Sequence, residues 1–266
     1  MKILVTNDDG YGAEGIKLLT EFALEITDDV WVVAPDTNQS GTGHSITIKQ
    51  PLRLNKQFHQ HYSVSGTPTD CVMLACGHLL KDSLPDLILS GINHGSNMAE
   101  DLSYSGTVAA AMEGTLLGVK SVALSMNFKF KKELRWDTAR FCLSMIKDLI
   151  LNGPVKKDSF MNINFPDCAP SDLQGVRITK QGLRDTKDSM QVCLDPREEK
   201  YFWHGAAMYR FEDHPHINDQ DSDLSAIYSN YISINPVKLD FTDEHYALLL
   251  REFCNTSHAI KRPMYA

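Results

Sequence analysis

The sequence has no apolar run near the ~20 residues that a bilayer-spanning helix requires. Its opening, Met1-Lys-Ile-Leu-Val5, enters an apolar stretch directly, without the layout of a signal peptide. It has no extended Lys/Arg cluster and a formal net charge of −8, which argues against a nucleic-acid binder, because phosphate backbones are held by dense positive charge. Its six cysteines (71, 76, 142, 168, 193 and 254) form no CxxC pair, which removes the usual thiolate-metal and dithiol motifs. Most lie in apolar patterns, such as Cys142 between Phe141 and Leu143, and are expected to be buried free thiols of a reducing compartment. A GxxxxGK[ST] phosphate loop is also missing. A cytoplasmic protein with no nucleic-acid or membrane partner is the expectation. At 266 residues, 42% hydrophobic and 23% charged, it has the length and composition of one large α/β domain, with or without a smaller appendage.

The first sixteen residues organise the rest. Ile3 to Val5 reads as a short buried strand that stops at two adjacent carboxylates, Asp8 and Asp9, followed by Gly10, Gly12 and Gly15. Neighbouring side chains on a strand point to opposite faces, so the pair converges only if the backbone has begun to turn, which Gly10 permits. Two carboxylates this close repel each other unless a cation lies between them, and their oxygens suit Mg²⁺, Mn²⁺ or Ca²⁺. Capping of the next helix by one Asp, with the other solvated, is the plain alternative.

Ile16, Leu19, Phe22, Ala23 and Ile26 recur at helical spacing, which predicts a helix over 14–26, and the run 30–34 is a second strand of a parallel β-α-β unit. The loop 36–45 carries Ser40 as a further oxygen. A strand over 85–90 is followed by Gly91-Ile-Asn93 and Gly95-Ser-Asn97, in which Asn93 offers a neutral carbonyl oxygen and Asn97 an amide donor. Ligands of open parallel sheets bind beyond the carboxyl ends of the strands, so these three loops are expected on one edge. For each loop alone, turn formation is a sufficient account.

Ser105, Gly106 and Thr107 open a helix that runs to Gly118. Their backbone N–H groups and hydroxyls at the positive end of a helix dipole make a phosphate cradle or an ordinary cap. Thr67-Pro-Thr-Asp70 is read as a structural capping box. His59-Gln-His61 and His214-Pro-His216 lie in polar loops and are not read as metal sites.

Strands over 119–125 and 160–165, with a helix over 137–151, continue the alternation, which predicts a doubly wound, mostly parallel α/β sheet. Beyond Pro166 the segments 176–180, 199–204 and 207–211 alternate like exposed antiparallel strands. An acidic loop over 212–223, a strand over 231–234 and a helix over 243–253 follow. The expected division is a Rossmann-like core over 1–170 and, over 171–266, a projecting hairpin arm, a returning strand and a terminal helix. Tyr201, Phe202, Trp203, Tyr209 and Phe211 suggest that the arm is an oligomer interface.

Val5-Thr-Asn-Asp-Asp-Gly10, Ser40-Gly-Thr-Gly-His-Ser45, Gly66-Thr-Pro-Thr-Asp-Cys-Val72, Ser90-Gly-Ile-Asn93 with Gly95-Ser-Asn97, and Tyr104-Ser-Gly-Thr107 occur in this order. Together with Asp195-Pro-Arg197 and Tyr231-Ile-Ser-Ile-Asn-Pro236, they resemble the SurE family, the stationary-phase survival proteins, over nearly the whole chain. The resemblance implies a metal-dependent 5′/3′-nucleotidase acting on nucleoside monophosphates, in some members also on short polyphosphate. It implies one divalent cation, Mg²⁺ or Mn²⁺, on Asp8, Asp9, Ser40 and Asn93, with Asp8 or Asp9 as the base. Asn97, Ser105, Gly106 and Thr107 would line the phosphate pocket, and the chain would assemble as a homodimer or homotetramer. It departs from the family at Asn230-Tyr-Ile-Ser233, where Gly-Tyr-Val-Ser is usual, and fits only loosely over 197–226.

A haloacid-dehalogenase-type phosphatase is the first alternative, but its Asp-x-Asp signature differs from the contiguous pair here. A receiver domain would need a further Asp after a later strand, where this chain has Ser90-Gly-Ile-Asn93. A nucleotide- or phosphate-binding regulatory module without catalysis is the last.

Overall fold

The computed structural model describes residues 1–128, 134–183, 190–204 and 219–256. Short, largely buried strands supply the centre of the molecule: β1 (Ile3–Thr6), β2 (Val30–Pro35), β5 (Leu87–His94), β6 (Lys120–Met126) and β7 (Ser159–Phe165). Runs of this kind, apolar on both faces, are what a parallel sheet covered by helices demands. They join β3 (Leu54–Phe58), β4 (His61–Val64), β8 (Gly175–Ile178) and β11 (Tyr231–Lys238) in one nine-stranded sheet of order β3-β4-β2-β1-β5-β6-β7-β11-β8. From β4 to β7 every neighbouring pair is parallel. The two ends break that rule, since β3 runs antiparallel to β4 and β11 antiparallel to β7.

Helices cover both faces. On one side α1 (Glu14–Leu24) and α5 (Trp136–Asn152) close a core built on Ile3, Val5, Leu19, Leu89, Leu124 and Ile146. A Cβ on Gly15 of α1 would lie 1.9 Å from the Ile92 carbonyl oxygen, so this helix rests directly on the β5 backbone. On the other side α2 (Pro68–Leu74) and α4 (Gly106–Leu116) pack over Leu4, Val33, Ile88 and Ala110. The Thr67 capping box is present in full, with the Thr67 side chain bound by the Asp70 N–H and the Asp70 carboxylate by the Thr67 N–H. Asp70 also accepts from the Thr47 hydroxyl at 2.6 Å, which confirms its structural role. The short α3 (Asp101–Tyr104) immediately precedes α4 in the chain.

Two features differ from expectation, the direction of the segment over 176–180 and a helix where only a loop was expected before the strand over 231–234. The segment over 176–180 does not form an antiparallel hairpin; Gly175–Ile178 pairs in parallel with Tyr231–Ile234 at the sheet margin. An edge strand alternates in exposure whichever way its neighbour runs, so the pattern carries no information on direction. His59-Gln-His61 is the turn of the β3-β4 hairpin, with Gln60 at φ 57°, and Phe58 stacks on His61 with ring centroids 3.8 Å apart. The acidic stretch ends in a buried helix, α6 (Asp223–Tyr228), packed on β11. The arm itself is β9 (Met190–Leu194) paired antiparallel with β10 (Lys200–His204) as a separate two-stranded sheet; residues 207–211 and His214-Pro-His216 lie outside the described residues. The last element, α7 (Glu244–Thr256), buries none of its residues and exposes Tyr246, Leu249, Leu250 and Phe253.

Candidate active site

The site is built where β1, β2 and β5 end on a common edge. After β1 the chain turns at Gly10, which has φ 100°, a conformation that glycine adopts without cost. The Asn7 amide donates to the Gly10 carbonyl at 2.9 Å and closes this turn, which carries both carboxylates.

Asp8 is only 3% exposed, and its Oδ1 accepts a hydrogen bond from the Thr107 hydroxyl. Burial raises its pKa from the ordinary 3.8 to about 6; the Thr107 hydrogen bond opposes the rise and the neighbouring Asp9 charge adds to it. Asp9 Oδ2 accepts the His94 N–H at 2.8 Å. Burial raises the Asp9 pKa as well, and that hydrogen bond restrains the rise.

Backbone hydrogen bonds fasten the second loop to the first. The Gln39 N–H donates to the Asp8 carbonyl and the Tyr11 N–H to the Pro35 carbonyl, both at 2.7 Å. Ser40, whose N–H donates to Asn38 Oδ1 at 2.8 Å, thereby comes to the same cavity as Asp8. From β5, Asn93 gives its amide N–H to the Gly95 carbonyl at 2.8 Å, so the side-chain oxygen is what it can offer the cavity.

Asn97 is held by three buried side chains. Its N–H donates to Asn164 Oδ1 at 2.8 Å, and its carbonyl accepts from Asn164 at 3.0 Å and from Asn162 at 2.9 Å. Its own amide donates to Ser125 Oγ at 2.8 Å. Two positions further, the Ala99 N–H donates to Asp223 of α6 at 2.9 Å. The loop after β5 is thus fixed from β6, β7 and the late helix together.

The third contribution is the N-terminus of α4. Ser105 caps it, accepting the Val108 N–H at 3.1 Å. A Cβ on Gly106 would stand 2.8 Å from Asp8 Cβ, so the helix start lies against the carboxylate and directs its positive end there.

The structure brings Asp8, Ser40, Asn93, Asn97 and Ser105 onto one cavity of about 250 Å³. Asp9 lines an adjoining cavity of about 550 Å³, with His94 shared between the two. Gly106 and Thr107 do not line either; Gly106 packs behind Asp8, and the Thr107 hydroxyl is engaged by Asp8. Tyr104, Asn127 and Phe128 also reach the first cavity. Sequence reasoning gave no role to Asn127, Phe128, Ser125, Asn162 or Asn164. A signal existed for the last two: amides at i and i+2 within the apolar strand Phe160-Met-Asn-Ile-Asn-Phe165 share one face, where burial demands partners.

A divalent cation fits these residues. Two adjacent carboxylates whose burial makes them unusually basic are stabilised by a positive charge between them. Among the described residues no three His, Cys, Asp or Glu side chains converge, so what these loops offer an ion is a pair of carboxylates and the neutral oxygens of Ser40 and Asn93. That set suits a hard ion over a thiolate- or imidazole-loving one.

The family model described as survival protein SurE matches residues 3–188. A protein of Methylobacterium radiotolerans named 5′-nucleotidase SurE is 47% identical over 247 residues, 92% of this chain and 95% of that protein. One of the same name from Bradyrhizobium diazoefficiens is 44% identical over 250 residues, 93% of this chain and 97% of that protein. The crystal structure of the SurE protein from Aquifex aeolicus superposes with a TM-score of 0.80 at 35% identity, covering 95% of this chain and 99% of that one. With the family model and these relatives in agreement over most of its length, the chain belongs to the SurE family.

Proposed function

We propose that this chain is a metal-dependent nucleotidase that hydrolyses nucleoside 5′- and 3′-monophosphates to nucleoside and inorganic phosphate. The observation that carries the assignment is the placement of Asp8 against the N-terminus of α4, with Asp9, Ser40, Asn93 and Asn97 grouped about it at the carboxyl edge. Asp8, Asp9, Ser40 and Asn93 would hold one divalent ion, Mg²⁺ or Mn²⁺. When bound, that ion supplies Lewis-acid charge to the phosphoryl group.

The chain's own groups do the rest. The remaining amide hydrogen of Asn97 and the capped start of α4 bind phosphoryl oxygens and oppose the charge that grows on them. Thr107 works one step back, fixing Asp8. Asp9 lines the second cavity, whereas Asp8 is almost fully buried, and this access to solvent favours Asp9 over Asp8 as the group that takes the proton of the attacking water. Short polyphosphate, which presents the same terminal phosphoryl group, is a further substrate of this site.

The apolar side of α7 and the β9-β10 arm would be covered by further copies of the chain in a homodimer or homotetramer. Among the described residues no helix is long and apolar enough to cross a membrane, and a cytoplasmic location is proposed with that.

Phosphate release from a panel of 5′- and 3′-monophosphates tests the assignment. It is measured for the wild type and Asp9→Asn, after EDTA and after return of Mg²⁺ or Mn²⁺. Turnover that metal restores and Asp9→Asn abolishes is expected. Turnover that survives both treatments would place the chemistry elsewhere.

A further inference from the structure

The first cavity has a polar floor and an aromatic rim. Asp8, Asn97 and Ser105 are buried and form the floor, while the rim carries His94, Phe128 and Tyr104, the last of them 60% exposed. The ladder between β5 and β6 explains why two of these rings meet. His94 pairs with Met126 at the end of the two strands, and Phe128 leaves β6 two residues later on the same edge. The His94 and Phe128 rings contact edge to face, with centroids 5.2 Å apart and planes at 73°. Gly95 follows His94 and is close to the same ring: its N–H is tied to the Met126 carbonyl at 3.0 Å, and a Cβ there would stand at ordinary contact distance, 3.6 Å, from Phe128 Cε1.

We infer that the His94–Phe128 pair is the wall on which the nucleobase of the substrate rests, and that it sets the preference for nucleotides over other phosphate monoesters. This rests on the nucleotidase assignment above. Among the described residues, a phosphoryl group at the floor would direct its ester oxygen toward the exposed rim. The flat apolar surfaces there are rings, and purine or pyrimidine faces stack on such rings whatever their hydrogen-bonding edge. The wall is also coupled to the chemistry, because the backbone N–H of His94 is the donor to Asp9 Oδ2 at 2.8 Å. Phe128 makes no such link, so its side chain is the cleaner probe.

The rival surface is the second cavity, where Leu134 and Trp136 stand opposite Asp9. It shares His94 with the first cavity but holds none of the candidate phosphate ligands.

The test compares adenosine 5′-monophosphate with ribose 5-phosphate, which carries the same phosphate and sugar without a base. Wild type, Phe128→Leu, Phe128→Tyr and Trp136→Leu are assayed in the metal that supports turnover. Phe128→Leu is expected to raise the KM for adenosine monophosphate about tenfold, to leave kcat within about twofold and to leave ribose 5-phosphate unaffected. Phe128→Tyr, which keeps the ring, restores the wild-type values, and Trp136→Leu changes neither substrate. Equal losses on both substrates, no loss in Phe128→Leu, or a base-dependent loss confined to Trp136→Leu would each overturn the inference. A wild type that hydrolyses neither compound with any divalent metal instead overturns the nucleotidase assignment, and this one with it.

Discussion

Asn164 grips both peptide groups of Asn97. Its side-chain oxygen accepts the Asn97 N–H at 2.8 Å and its side-chain nitrogen donates to the Asn97 carbonyl at 3.0 Å, as a neighbouring strand would. The contact joins β7 to the loop after β5, across 67 residues of sequence, and both partners are buried. Asn97 is the candidate phosphate donor, so the aim of its amide depends on a strand that lines neither cavity of the site.

Asn164→Ala is expected to leave the Asn97 N–H buried without a partner, at a cost of about 1–3 kcal/mol in folding stability. Small misplacements of a positioning group are expensive in rate, so kcat should fall about tenfold or more, with a smaller change in KM. Asn164→Asp keeps the acceptor and loses the donor, and should fall between. Denaturant unfolding and steady-state kinetics on the three proteins check this. A stability loss without a kcat loss would reduce Asn164 to a purely structural role.

Thr107 acts on the carboxylate end of the site. Its hydroxyl donates to Asp8 Oδ1, and this bond is the chief influence that restrains the rise of the Asp8 pKa. Thr107→Val, nearly the same in shape, should weaken divalent-ion binding by about 10–100-fold, the usual effect of removing the partner of a metal-binding carboxylate. Thr107→Ser retains the hydroxyl and should bind within a few-fold of the wild type. Titration calorimetry with Mn²⁺ reads both.

The raised Asp8 pKa also makes a prediction for the metal-free protein. The carboxyl holds its proton to about pH 6 when folded, against 3.8 ordinarily. The folded state therefore binds more protons than the unfolded one between these values. This contribution to stability is complete below pH 3.8 and is lost as the pH rises through about 6. Its full size is of the order of 3 kcal/mol. In EDTA, the melting temperature of the wild type should fall relative to that of Asp8→Asn between pH 5 and pH 7. Saturating Mg²⁺ or Mn²⁺ should remove the difference, because the cation takes the place of the proton. A constant difference over this interval would show that Asp8 titrates as an ordinary carboxylate.

The parts of this architecture that were legible in the sequence are those whose signal is local. The parallel strands show as continuous apolar runs, α1 and α5 as helical periodicity, and the start of α2 as Thr67, Pro68 and Asp70 in capping order. The loops bearing Asp8, Asp9, Ser40 and Asn93 were placed on one edge because strand direction dictates it. What sequence could not give is what depends on distant pairing. The hold of Asn164 on Asn97, the tie from Asp223 to Ala99 and the meeting of His94 with Phe128 are each set by strand order. Thr107 was assigned to the phosphate because its place at a helix start suggests it; that its hydroxyl instead faces Asp8 follows from how α4 lies on the turn after β1.

Three glycines shortly after β1, Gly10, Gly12 and Gly15, look alike in sequence and differ in the fold. Gly10 has φ 100°, Gly15 admits no Cβ beside the Ile92 carbonyl, and Gly12 has nothing within 4 Å of where a Cβ would stand. Gly106 belongs with Gly15: an added Cβ would meet Asp8 Cβ at 2.8 Å and Pro68 Cγ at 2.9 Å, and neither neighbour is the far end of a flexible chain. In Gly106→Ala the start of α4 must therefore draw back from Asp8, which lengthens the Thr107 hydrogen bond and turns the helix end away from the phosphate. Gly106 is the first helical residue after the Ser105 cap, where alanine gains less over glycine than the roughly 1 kcal/mol of a helix interior, so helix propensity offsets the clash only in part. The expected outcome is a loss of kcat/KM by about a hundredfold with a much smaller change in melting temperature, while Gly12→Ala leaves both unchanged. Assay and thermal melts of the two variants decide the matter. A Gly106→Ala enzyme of normal activity would mean that the close approach of α4 to Asp8 is not needed for catalysis.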